Sequence, residues 1–174
     1  SEVASMPASP SGKAVKDGGW LAYDEWTELV FAAKGYKTGD FYLFDPLEGP
    51  TGTWMSLASI PGGREGKLPY KGAVGVSDNE GHIYATKGNN TQGFWRYDIG
   101  SNRWTQLADV PLGLSRKKVK GGTDMAYVEF TDTPYVYLLK GYRTDFLRFN
   151  TVSGAWDTSL PPAPAGLKPK YDKG

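Results

Sequence analysis

The side chains with the clearest chemical potential in this sequence are lysines. Lys34, Lys87 and Lys140 each stand directly before a glycine, 53 residues apart each time. More cations crowd the Gly- and Pro-rich stretches "GKAVKDGG", "GGREGKLPYKG", "GLSRKKVKGG" and "GLKPKYDKG". An ammonium is a compact point charge, so several on one face suit recognition of anions rather than covalent chemistry. The chain carries 20 Lys+Arg against 19 Asp+Glu, so a basic site has to come from local clustering, and nucleic acid is not an expected partner. The candidate ligand-binding set is Lys34, Lys87, Lys140, Arg116, Lys117, Lys118, Lys120, Lys67 and Lys71. The competing role for the Lys-Gly pairs is architectural. Each stem would pack along a neighbouring element with its ammonium on loop carbonyls, and the glycine would take a backbone conformation other residues resist.

Other chemistry has little to stand on. Cysteine is absent, which removes disulfides, thiol nucleophiles and Cys-based metal sites together. The one histidine, His82, follows a turn at the start of a strand, and neither a catalytic triad nor a His-rich metal cluster can be built from it. Glu25, Glu28, Glu48, Asp78 and Glu80 fall in turns, and "SDNEG" lacks the alternating carboxylates of a calcium loop. These residues predict a protein that is not an enzyme and needs no metal or cofactor. No apolar run of 18 residues exists, so no membrane insertion by a helix is expected.

The elements that must position the lysines form a repeat. "KGYKTGDFYLFD", "KGNNTQGFWRYD" and "KGYRTDFLRFN" align on Lys-Gly, on Thr38, Thr91 and Thr144, and on the aromatic pairs Phe41/Phe44, Phe94/Tyr97 and Phe146/Phe149. A lone tryptophan follows in each unit (Trp54, Trp104, Trp156), and then a Pro-x-Gly at Pro61, Pro111 and Pro164. In the middle unit "GAVGVS", "HIYATKG", "GFWRYD" and "RWTQL" read as four short strands separated by turn residues. The divisions are 18–71, 72–121 and 122–174, preceded by 1–17, which reads as the exit loop of a further unit. The fold class is all-β, in four-stranded antiparallel sheets of about fifty residues each.

The middle unit resembles the kelch-repeat β-propellers: "IYATKG", an aromatic strand ending Tyr97-Asp98, then Asn102-x-Trp104 and a proline. Lys-Gly stands where a kelch blade usually has Gly-Gly. The resemblance implies that the repeated aromatics pack blade on blade, while Trp95 and its counterpart Tyr42 are candidate stacking residues for a ligand. The copper-radical galactose oxidases share the resemblance, but their cofactor needs cysteine and several histidines that this chain lacks. Three blades are too few for a ring of about four to eight. The expected partners are therefore a second copy, giving a six-bladed homodimer, or the remaining blades of a longer protein. A cysteine-free, Gly/Trp-rich β chain suits an extracellular or cell-surface setting. The expected function is a non-catalytic binding or assembly module, for protein or anionic glycan. A purely structural repeat of a surface layer or filament is the alternative, and a carboxylate-dependent glycan hydrolase is a weaker one.

Overall fold

The computed structural model of the chain describes residues 2–130 and 133–167. Lys168, Lys170 and Lys173, part of the last basic stretch, lie outside the described residues. Twelve strands make up the described fold: β1 (Trp20–Asp24), β2 (Leu29–Ala33), β3 (Phe41–Asp45), β4 (Thr53–Ser56), β5 (Ala73–Ser77), β6 (His82–Lys87), β7 (Phe94–Asp98), β8 (Arg103–Gln106), β9 (Asp124–Phe130), β10 (Thr133–Leu139), β11 (Phe146–Asn150) and β12 (Ala155–Asp157). They form three four-stranded antiparallel sheets, β1–β4, β5–β8 and β9–β12, each in sequence order. The first strands lie side by side, β1 against β5 and β5 against β9. The all-β architecture expected from the repeat is present.

Local chemistry explains the hairpins. Alternating Val, Ile, Tyr and Phe favour the pleated, half-buried strand, and each strand stops at a residue that can bend the chain. Asp45, Asp98 and Asn150, the last residues of β3, β7 and β11, turn their side-chain oxygens back onto amides two or three residues ahead, at Leu47, Ser101 and Val152. Asp78 does the same after β5, accepting from the amides of Glu80 and His82.

Packing between sheets is aromatic and follows the repeat. Phe41 of β3 meets Tyr97 and Trp104 of the second sheet, both at 4.9 Å between ring centres. Phe94 of β7 meets Phe149 and Trp156 of the third sheet at the same 4.9 Å. The edge-to-face angles, 77° for Phe41–Tyr97 and 69° for Phe94–Phe149, are those favoured by the ring quadrupole. The Trp20 ring packs against Gly75 of β5, where an added Cβ would run into it. Trp104 Nε1 donates to the Ala58 carbonyl and Trp156 Nε1 to the Ala108 carbonyl, each at 2.9 Å, which ties the second and third sheets to the segment leaving the sheet before. Trp54 Nε1 makes the same bond to Ala4 O at 2.8 Å. Residues 4–12 thus sit on the first sheet as residues 58–65 and 108–115 sit on the second and third.

Candidate functional site

The Lys-Gly pairs come at the ends of β2, β6 and β10, and their side chains enter three sockets between each sheet and the segment behind it. Lys34, Lys87 and Lys140 are only 1%, 2% and 1% exposed. Lys34 Nζ donates to Ala8 O at 2.6 Å and to Asp40 Oδ2 at 3.0 Å. Lys87 Nζ donates to Pro61 O at 3.3 Å and, at closer range, to Gly62 O. Lys140 Nζ donates to Pro111 O, Leu112 O and Lys117 O at 2.5, 2.9 and 2.8 Å, which uses all three ammonium hydrogens. The ligand-binding expectation for Lys34, Lys87 and Lys140 is therefore corrected: their charges are enclosed in the fold, not presented to a solvent-borne anion. Loop carbonyls at the sheet ends have no strand partner, and a buried ammonium is their donor.

The glycine of each pair marks a backbone crossing. Gly35 and Gly88 have φ of 67° and 57°, in the left-handed region. Gly141 has no such φ, but a Cβ there would run into the Gly121 carbonyl oxygen, so close approach alone requires glycine. Thr38 and Thr91 close the following turn, each hydroxyl donating to the carbonyl three residues back, at 2.9 and 2.8 Å.

The residue just before the third strand of each sheet is a part of the socket that the repeat alignment does not single out. In the first sheet it is Asp40, which accepts from Ser11 Oγ at 2.5 Å as well as from Lys34. In the third it is Asp145, which accepts from the Ser115 amide at 3.1 Å and from the Ser115 hydroxyl. In the middle sheet it is Gly93, and the loop position of Ser115 is held by Glu65, which takes Lys118 at 2.6 Å and the Gln92 amide at 3.0 Å instead. The lysines titrate accordingly. Burial opposes the charge on Lys34, but its bonds to Tyr42 and Asp40 outweigh that and raise its pKa above the ordinary 10.5. Burial pushes Lys87 down, and it pushes Lys140 down to about 8. The spacing of Asp40 and Asp145, five or six residues after the lysine, was the available signal.

The remaining candidates lie in the loops and are partly engaged. Lys118 pairs with Glu65, Lys71 stands 3.7 Å from Asp17 and over the Tyr70 ring, and Lys67 Nζ reaches Asn89 O at 3.4 Å. Arg116, Lys117 and Lys120 are exposed at the surface of the loop that serves Lys140. Trp95 and Tyr42, expected as stacking residues, are 4% and 0% exposed. Their rings lie against Lys87 and Lys34, with ammonium-to-centroid distances of 5.1 and 5.2 Å. That corrects the stacking expectation, since no ring face is left open to a sugar. His82, the first residue of β6, is half-buried, with Nδ1 2.9 Å from Asp78 Oδ2 across the turn that joins β5 to β6.

No protein-family model matches the sequence, and no curated protein matches it. Among solved structures the chain is similar to one described as "Structure of YjhT", with a TM-score of 0.58 and 16% identity. That match covers 85% of this chain and 52% of the other, so this chain spans about half the length of its structural neighbour. At such identity the likeness is one of fold, and it supports a blade-like β fold of three four-stranded sheets.

Proposed function

We propose that the chain is a kelch-like β-propeller segment that works as a non-catalytic binding and assembly module outside the cell or on its surface. The observation that carries this is the contrast between equivalent phenylalanines. Phe41 and Phe94 are 1% and 0% exposed because the next sheet covers them, whereas Phe146, at the same place on the third sheet, is only half-buried. It shares its outward face with Tyr135, Tyr137 and Leu139, where Tyr137 stacks on Phe146 at 5.5 Å and Arg148 lies over Tyr135. The first sheet carries the complement on its own outward face: Phe44 and Trp54 stand where Tyr97/Trp104 and Phe149/Trp156 stand in the sheets that cover Phe41 and Phe94. Residues 4–12 occupy the outer half of that face, leaving Leu21 and Tyr23 on β1 65% and 56% exposed. Apolar side chains arranged this way fit docking of another blade-like sheet, from a second copy or from a longer polypeptide.

Amide hydrogen exchange across a concentration series tests the reading. Concentration-dependent protection is expected in β1 and β9–β12 and is lost in Phe146→Glu. Unchanged exchange at every concentration contradicts docking of a second copy. A second reading, anionic-glycan binding, is favoured by one feature: Lys67, Arg116, Lys117 and Lys120 remain exposed on the loops. A glycan array run at low and high salt separates it from assembly, since only the glycan signal falls as salt screens the loops.

A further inference from the structure

The third sheet departs from the other two at one buried position. Tyr42, Trp95 and Leu147 are the second residues of β3, β7 and β11, and all three are buried. In the first two sheets a ring fills the space between the sheet and the segment behind it. The Tyr42 hydroxyl donates to Ser9 O and stands 3.4 Å from Asp40 Oδ2. The Trp95 ring closes over Gly63 and leaves no room for a Cβ there. Leu147 has no ring, and beside it lies a cavity of about 300 Å³. Its walls are the counterparts of the residues around those rings. Gly113 answers to Gly63, and Asp145 to Asp40. Thr158 comes two residues after its sheet's tryptophan, as does Gln106, which pairs with Trp95 in register. Leu114 and Leu160 add apolar surface. Leu147 shares a face with Phe149, which meets Phe94 of the second sheet, and Gly113 and Leu114 belong to the segment leaving that second sheet.

We propose that this cavity is a binding site for a monocyclic phenol. Its ring takes the place of the missing aromatic side chain, against Leu147 and Leu160, and its hydroxyl donates to the Asp145 carboxylate. The volume is at the lower end for small-molecule sites, enough for a single ring and too little for a dinucleotide or an oligosaccharide. The carboxylate selects the class. Asp145 accepts from the Ser115 amide and hydroxyl, which leaves lone pairs for a further donor. A neutral hydroxyl suits it, and an anionic group is repelled. The first sheet, where the aspartate is also present, places a tyrosine there. The middle sheet, with Gly93 in that position, places an indole. The site lies on the side of the third sheet turned toward the second, so it is independent of the assembly reading and stands or falls separately from it.

p-Cresol, the tyrosine side chain as a free molecule, is the probe, and toluene is its match without the hydroxyl. NMR of the wild-type chain is expected to show cross-relaxation between the p-cresol ring and the Leu147 and Leu160 methyls at about millimolar ligand. Toluene is expected to bind about tenfold more weakly, because it brings no donor to the carboxylate. Leu147→Tyr supplies the ring from the chain itself, so it should lose the p-cresol contacts while its thermal midpoint rises. No contact in the wild type, contacts at other residues alone, or undiminished binding by Leu147→Tyr overturns the site. Equal affinity for toluene overturns the role given to Asp145. Should Leu147→Tyr not fold, the wild-type spectra with the two ligands still decide.

Discussion

Replacing Lys140 by methionine isolates what a buried lysine contributes to this fold. Methionine keeps the apolar stem and removes only the ammonium. The fall of the Lys140 pKa from 10.5 to about 8 corresponds to ~3 kcal/mol against burying the charge. Against this stand three charge-assisted bonds, to Pro111 O, Leu112 O and Lys117 O, each worth about 1.5–3 kcal/mol. Leu112 and Lys117 lie at the surface, so water replaces part of what is lost. The balance is a net destabilisation of about 2–3 kcal/mol for Lys140→Met. Urea unfolding followed by tryptophan fluorescence reads it as a lower midpoint at unchanged slope. Lys118→Met is the control, because its pair with Glu65 is partly exposed and such pairs contribute about 1 kcal/mol or less. A Lys140→Met effect no larger than that of the control would refute the claim that the ammonium holds the loop.

Gly141→Ala should cost several kcal/mol, at the upper end for a point substitution, because its Cβ would meet the Gly121 backbone. Gly154→Ala, with φ of 70° and open space around it, should cost only about 1–2 kcal/mol by the same unfolding assay. The N-terminal segment should loosen in acid. Burial raises the Asp40 pKa, but Ser11 and Lys34 outweigh it and hold the carboxyl below the usual 3.8. The unfolded chain therefore takes up the proton first, and the stability present above about pH 4 declines as pH falls through the folded pKa. A pH series of thermal midpoints should show this fall in the wild type and a flatter curve in Asp40→Asn.

The repeat made the fold legible. Short strands separated by turn residues such as Asp45, Asp98 and Asn150 read as hairpins, and the repeated aromatics, Trp104 and Trp156 among them, mark the contacts between sheets. The site was less legible. A lysine beside a glycine reads alike whether its charge faces solvent or a ring of carbonyls, and only the path of the preceding segment decides. Trp95 and Tyr42 posed the same difficulty: their alternation with Phe94 and Phe41 gave the face correctly, but not the segment that covers it. Asp40 and Asp145 do not read as a repeated pair because Gly93 interrupts the pattern at the middle unit, beside the buried Trp95 Nε1 that has no hydrogen-bond partner.

In the function proposed above, the outward faces of the first and third sheets are covered by further sheets. Light scattering on the isolated chain over a wide concentration range tests it most directly. The predicted result is a mass above the 19.0 kDa of one chain that falls toward that value on dilution and stays there in Phe146→Glu. A mass of one chain at every concentration, with no binding of a dye that reports exposed apolar surface, would contradict it.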